Sequence, residues 1–216
     1  MKFGVLGTGA VGRTIAAKLV SLGHEVTLGS RTEGNEQAVA WVEATGERAN
    51  QGTFAGAARF GEALVNCTKG EASLDALRAA GAENLDGKLL IDVANPLDFS
   101  GGMPPTLTVC NTDSLGEQIQ REFPDARVVK ALNTMNHELM IAPASLQESH
   151  SVFVCGNDDS AKDEVRTLLE SFGWPRESIV DLGDISSARG TEMLLPLWVR
   201  LYGKLGTGKF NLAIVR

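Results

Sequence analysis

The chain has 216 residues, of which 43% are hydrophobic and 22% charged, the profile of a globular domain with enough apolar content to bury a core. Its formal net charge of -7 excludes a broad electrostatic attraction for nucleic acid or anionic membrane and leaves room only for a local basic pocket. The cysteines, Cys67, Cys110 and Cys155, form no Cys-x-x-Cys pair and no cluster with histidine, which predicts a reduced, cytoplasmic protein without a metal site. No signal-peptide core is expected before the first glycine turn, and no apolar run approaches the ~20 residues that span a bilayer.

The first thirty-odd residues carry the strongest signal. A short apolar strand ending in Val5-Leu6 leads into Gly7-Thr8-Gly9-Ala10-Val11-Gly12. Val11, Ile15, Leu19 and Leu22 then recur at helical spacing, Gly23 stops the helix, and a second strand runs towards Gly29-Ser30-Arg31-Thr32. Strand, Gly-x-Gly-x-x-Gly turn, helix and strand make the first half of a dinucleotide-binding unit. Gly7 is expected to permit the tight turn, Gly9 to let the backbone approach a pyrophosphate, and Gly12 to pack helix on sheet. The helix start would offer free N–H groups and the positive dipole end to the phosphates.

Which dinucleotide is decided at the end of the second strand. NAD binders place an acid there for the ribose hydroxyls, whereas this chain has Ser30, Arg31 and Thr32. A guanidinium flanked by two hydroxyls suits a 2′-phosphate, so NADP(H) is the expected cofactor.

Further along, residues 33–46 read as a helix, residues 53–60 as a short helix, and residues 63–67 as a buried strand whose tip, Cys67-Thr68-Lys69, should lie beside the glycine turn. A helix over 72–80 and a strand over 88–93 follow, with Asn95-Pro96 leaving the strand tip. Residues 98–108, rich in Gly and Pro, read as a loop without regular structure. Ser114-x-x-Glu117 opens a helix by a capping box. Residues 127–132 form a strand with Asn133-Thr134 at its tip, and a strand (152–155), a helix (159–172) and a strand (179–182) complete the series. This alternation predicts an α/β fold with a doubly wound, mainly parallel sheet over residues 1–183. Residues 184–216 form a small C-terminal portion: a long helix from Ser186 to about Leu205, then a strand-like Phe210 to Val215. So apolar a tail should dock on the body or on a partner subunit, which suggests a homodimer.

Two other patterns carry nothing. Gly203-x-x-x-x-Gly208-Lys209 has P-loop spacing, but Phe210 stands where that motif needs Ser or Thr. Tyr202-Gly-Lys204 is not the Tyr-x-x-x-Lys pair of short-chain dehydrogenases. His24, His137 and His150 have no metal-ligand spacing, and His137 is expected to serve a local capping or surface role.

With these residues in view, the chain resembles the NADP oxidoreductases dependent on coenzyme F420, a deazaflavin. The resemblance rests on the glycine turn, Leu-Gly-His-Glu-Val at 22–26, Gly29-Ser30-Arg31, and Asp-Val-Ala-Asn-Pro-Leu at 92–97. It continues in Val-Val-Lys-Ala-Leu-Asn-Thr at 128–134, Gly-Asn-Asp-Asp at 156–159, and Ser-Ser-Ala-Arg at 186–189. It implies that Gly7, Thr8, Gly9, Ala10, Val11, Ser30 and Arg31 hold NADP, that Cys67, Thr68, Lys69 and Asn95 border it, and that Pro96, Asn133, Thr134, Ser187 and Arg189 lie near the second substrate. It also implies hydride transfer directly between nicotinamide and deazaflavin, which needs positioning more than acid–base help. The archaeal deazaflavin reductases carry histidine where this chain has Asn133, and the ferric-reductase branch with the same nucleotide domain carries asparagine. A flavin or ferric-type acceptor, or a non-catalytic NADP(H) sensor, therefore stands beside the deazaflavin reading. An imine or hydroxyacid reductase would need a catalytic lysine and a longer helical domain, neither of which is identifiable.

Overall fold

The computed structural model describes residues 1–215. The chain begins with strand β1 (Lys2–Leu6), helix α1 (Ala10–Ser21), strand β2 (Glu25–Ser30), helix α2 (Glu36–Thr45) and strand β3 (Ala49–Thr53). It continues through α3 (Phe54–Phe60), β4 (Ala63–Asn66), α4 (Gly70–Ala80), β5 (Leu89–Asp92), the short pair β6 (Leu97–Asp98) and β7 (Thr106–Leu107), and α5 (Leu115–Glu122). After β8 (Arg127–Ala131) come α6 (His137–Ile141), β9 (Val152–Gly156), α7 (Asp159–Phe172), β10 (Ile179–Asp181), α8 (Ala188–Met193) and α9 (Leu195–Leu205).

Eight strands form one sheet in the order β10-β9-β8-β5-β4-β1-β2-β3. Every pairing is parallel except β8 with β9, where Ala131 faces Val154 and Val129 faces Gly156. Alternate strand residues face opposite helical layers, as the two-residue strand period requires. Phe3, Val5, Val26, Leu28, Val65 and Ile91 pack under α1, α2, α6 and α7. Leu6, Leu64, Leu90 and Val128 pack under α3, α4, α5 and the start of α8. The strands that leave the middle of this sheet all deliver their carboxyl ends to one edge, where ligands bind in open α/β folds. No helix among the described residues is long and apolar enough to cross a membrane.

Four expectations need correction. The strand β3 was not foreseen: Ala-Asn-Gln-Gly-Thr has no apolar run, and it holds its place as an edge strand by pairing with β2 alone. Residues 98–108 are not structureless, because Leu97 pairs with Leu107 and Asp98 with Thr106 to make a small hairpin. The expected single helix over 186–205 is broken: α8 ends at Met193, and Pro196 opens α9 within its first turn, where proline lacks only an N–H that would have no partner. Phe210 to Val215 forms no strand; it lies beside the start of β9, held by Ser151 N–H on the Leu212 carbonyl at 2.8 Å.

Candidate functional site

The glycine turn combines two tightly packed glycines with one open one. Gly7 has φ 113°, a left-handed backbone, and a Cβ there would fall 2.7 Å from the Cys67 carbonyl oxygen. A Cβ on Gly12 would fall 2.0 Å from the Gly7 carbonyl oxygen, so helix and turn are in backbone contact. Gly9, the N-cap of α1, has φ -68° and nothing within 4 Å of its would-be Cβ. Its missing side chain leaves open space at the head of the helix.

That helix start is unsatisfied. Helices α2, α3, α5, α6 and α7 are each capped by a side chain, from Asn35, Thr53, Ser114, Asn136 and Asp158 in turn. Helix α1 has no side-chain cap and no acidic residue in its first turn. Free N–H groups and a positive dipole end, facing open space, suit an anionic phosphate. Helix α4 also begins without a side-chain cap, at Lys69 on the same edge of the sheet.

Beside this cradle, Gly7 N–H bonds the Gly29 carbonyl at 2.9 Å and brings the tip of β2 alongside the turn. Ser30 is buried; its hydroxyl donates to the Thr32 carbonyl and accepts from Thr32 N–H at 3.2 Å, curling the chain so that Arg31 and Thr32 face solvent. Arg31 has no hydrogen-bond or ion-pair partner among the described residues, which leaves its guanidinium available for a ligand. Arg13 is a guanidinium the motif reading did not single out. From the fourth residue of α1 it donates to the Thr8 carbonyl at 2.6 Å and to Gln37 Oε1 at 2.7 Å, bracing the turn against α2.

The tips of β4 and β5 complete the cleft. A cavity of about 210 Å³ is lined by Val11, Cys67, Thr68, Lys69, Asn95 and Phe99, among others. Helix α4 approaches its wall so closely that a Cβ on Gly70 would fall 2.0 Å from the Asn95 carbonyl oxygen. Burial, with the nearby Asp92 charge, pushes the Cys67 thiol up, so it stays protonated at neutral pH and is no thiolate nucleophile. Asn133 arrives from the tip of β8. Its Nδ2 donates to Asn95 Oδ1 at 2.9 Å while Asn95 Nδ2 donates to the Asn133 backbone carbonyl at 2.8 Å, so the Asn95 carboxamide is held to both the side chain and the backbone of Asn133. Leu132, just before Asn133, has φ 64°; a bulky residue in this region costs about 1–3 kcal/mol and is held there by its buried surroundings.

The structure thus brings together Gly7, Thr8, Gly9, Ala10, Val11 and Gly12 with Ser30, Arg31 and Thr32 on one side. On the other side it gathers Cys67, Thr68, Lys69, Asn95 and Asn133. Pro96 adjoins this group, its carbonyl accepting Thr108 N–H at 2.8 Å. Three other expected residues have different neighbours. Thr134 is buried. Ser187 donates to the Leu182 carbonyl at 2.7 Å, and Arg189 makes a forked pair with Glu117 at 2.8 and 2.5 Å. Leu97 and Phe99 line the cavity from the unforeseen hairpin. Only an apolar residue within a Gly/Pro-rich stretch could have signalled them. His137 Nδ1 lies 3.1 Å from the Thr14 hydroxyl and ties α6 to α1. A larger cavity of about 330 Å³, beside His150 and Trp174, contains none of the expected residues.

Residues 2–96 match the family profile described as NADP oxidoreductase, coenzyme F420-dependent. The chain is similar to the crystal structure of an inferred F420-dependent NADP reductase from Arthrobacter sp. FB24, with 55% identity, a TM-score of 0.94 and full coverage of both chains. It is 28% identical over 212 residues to the F420-dependent NADP reductase of Methanothermobacter marburgensis, covering 93% of this chain and 92% of that one. It is also 30% identical over 205 residues to the metalloreductase STEAP3 of Rattus norvegicus, covering 91% of this chain but only 38% of that protein, so it spans about two fifths of that relative's length. An uncapped glycine-headed helix beside an arginine without a partner among the described residues, on this fold and with this similarity along the whole chain, leads to one assignment: the protein belongs to the family of coenzyme F420-dependent NADP oxidoreductases.

Proposed function

We propose that the protein transfers a hydride between NADP(H) and the deazaflavin ring of coenzyme F420. One observation carries this reading: the uncapped start of α1 and Arg31, which has no partner among the described residues, lie on the same sheet edge as an apolar, amide-bordered slot, so cofactor and flat acceptor could meet there. The full-length similarity to an inferred F420-dependent reductase supports it.

Bound NADPH would supply the hydride at its nicotinamide ring. The chain's own groups do the rest. The N–H groups at the head of α1 would hold the pyrophosphate, and Arg31 with Ser30 and Thr32 would hold the 2′-phosphate through charge-assisted bonds. Thr8, Ala10 and Gly12 shape that cradle. Cys67, Thr68 and Lys69 border the ring end, and Val11, Leu97 and Phe99 form apolar walls that shed water. Asn95 and Asn133 hold each other at the edge of the slot, with Pro96 next in the chain, while Thr134, Ser187 and Arg189 lie outside the residues that line it. Such a transfer needs two rings at near-attack distance more than it needs an acid or base.

A second reading has its own support. Asn133 and the similarity to a metalloreductase favour a flavin as the acceptor of the same hydride, the reduced flavin then passing its electrons one at a time to ferric iron. Stopped-flow mixing of NADPH with oxidised F420, and separately with flavin mononucleotide, decides between them. Reduction of F420 is expected. Reduction of flavin alone would favour the second reading, and NADPH binding with neither acceptor reduced would favour a sensor. We further place the protein in the cytoplasm as a homodimer, with residues 184–216 acting as the unit that closes the cleft. The exposed Leu197, Tyr202 and Leu205 of α9 support self-association, and light scattering at the concentrations used for the assay tests it.

A further inference from the structure

Three charged side chains that the proposed hydride transfer does not use lie buried where β5, β8 and α8 meet. Asp92 and Lys130 are 0% exposed and Glu192 is 1% exposed. An ammonium has three protons to donate, and each of Lys130's finds an acceptor. These are Asp92 Oδ2 at 2.8 Å, Glu192 Oε1 at 2.7 Å and the Ala94 carbonyl at 2.5 Å. The carboxylates are satisfied in turn. Asp92 Oδ1 accepts from Asn66 Nδ2 at 2.8 Å and from Ala94 N–H at 3.2 Å. Glu192 accepts the first two N–H groups of α5, from Leu115 at 2.9 Å and Gly116 at 3.1 Å. The positive end of that helix offsets the second negative charge. Burial by itself would discharge the lysine, but Asp92 and Glu192 outweigh it and keep the ammonium charged.

Stability does not account for such a cluster, since well-packed hydrophobes of the same volume do as well or better. Position does. Both backbone polar groups of Ala94 are pinned, its N–H by Asp92 and its carbonyl by Lys130, and the next residue is Asn95, whose carboxamide locks Asn133. At the other end, Glu192 fixes α8 to the head of α5. The three charges therefore tie the C-terminal helices to the strand tip that borders the cleft.

We propose that Lys130 is a positioning residue: by holding the Ala94 carbonyl while bridging Asp92 and Glu192, it fixes the Asn95–Asn133 pair in the geometry that hydride transfer to the acceptor requires. This rests on the NADP(H) oxidoreductase reading above.

The test uses the full chain in two forms, Lys130→Met and the charge-balanced Asp92→Asn/Lys130→Met. The single variant leaves buried carboxylates unpaired and is expected to fold poorly; the double variant removes that imbalance. Three measurements are made on the folded variant: the NADPH dissociation constant by fluorescence titration, kcat and KM with F420, and the asparagine side-chain amide signals of the NADPH complex by NMR with labelled asparagine. NADPH affinity should stay at the parent value. The kcat should fall roughly 10- to 100-fold, as a displacement of about 1 Å at a reacting centre can cause, and the Asn95 and Asn133 signals should shift or broaden. A folded double variant with parental kcat and unchanged asparagine signals overturns the proposal, leaving the cluster a purely structural one. If the parent protein itself reduces no F420, the functional reading fails, and the asparagine signals alone then decide for or against Lys130.

Discussion

Two of the three glycines of the turn, Gly9 and Gly12, offer a test in which stability and binding should separate. Replacing Gly12 by alanine puts a Cβ 2.0 Å from the Gly7 carbonyl oxygen and 3.0 Å from its carbon, both backbone atoms that move only if the turn moves. Overpacking of this kind costs about 1–3 kcal/mol. For a chain of 216 residues each kcal/mol lowers the melting temperature by about 2–4 °C, so the loss should be about 2–12 °C. Replacing Gly9 by alanine meets nothing within 4 Å, at a φ of -68° that any residue adopts. There the lower entropy of the unfolded chain, worth about 0.4–1 kcal/mol, nearly offsets the poorer N-cap, and the melting temperature should hardly change. The new methyl would nevertheless occupy the space in which the pyrophosphate would approach the helix. Gly9→Ala should therefore keep its stability and lose NADPH affinity by roughly tenfold, a single misplaced contact of about 1.4 kcal/mol. Melting curves and fluorescence titration of each variant measure both quantities. If Gly9→Ala binds NADPH like the parent, or loses as much stability as Gly12→Ala, the assignment of open and packed glycines is wrong.

Other outcomes follow from the same geometry. Arg31→Ala should weaken NADPH several-fold, by about 1–2 kcal/mol for one lost charge-assisted contact, and leave NADH affinity unchanged; equal loss for both would refute the 2′-phosphate role. Phe99→Ala should raise KM for the acceptor more than KM for NADPH, because Phe99 reaches the cavity from the hairpin; steady-state kinetics with each substrate varied will show whether it does. Acid should weaken the fold partly through Asp113, whose carboxyl the Arg121 guanidinium holds down to about 2. A depressed carboxylate contributes stability that is complete above the ordinary range near pH 4 and is lost as pH falls towards 2. The melting-temperature gap between the parent and Asp113→Asn should therefore be open at pH 5 and close near pH 2, and a gap independent of pH would contradict it.

What could be read in advance was local. The glycine turn, the helix after it and the cap at Ser114 each depend on residues within a few positions of one another, and the structure has them where the patterns put them. The reversal of β9 left no mark, because strand direction is decided by where the connection returns, and a buried strand reads the same either way. The hairpin of β6 and β7 is too short for periodicity to register. Lys130 was visible only as a lysine inside an apolar strand, since its partners Asp92 and Glu192 lie far off in sequence and meet it only through the sheet and α8. The same holds for Asn133: its motif was legible, but its lock on Asn95 depends on β5 and β8 being neighbours.

The reversal between β8 and β9 bears on how this enzyme family could vary. A parallel connection must carry the chain from one edge of the sheet back to the other, but residues 132–151 leave the carboxyl edge at Ala131 and re-enter it at Val152. Both anchors of that excursion sit on the ligand side. Its buried Leu132, Met135, Leu139 and Met140 and the His137–Thr14 contact pin it to the core and to α1, so only its exposed positions, such as Glu138, Ala144 and Gln147, can change without disturbing the sheet.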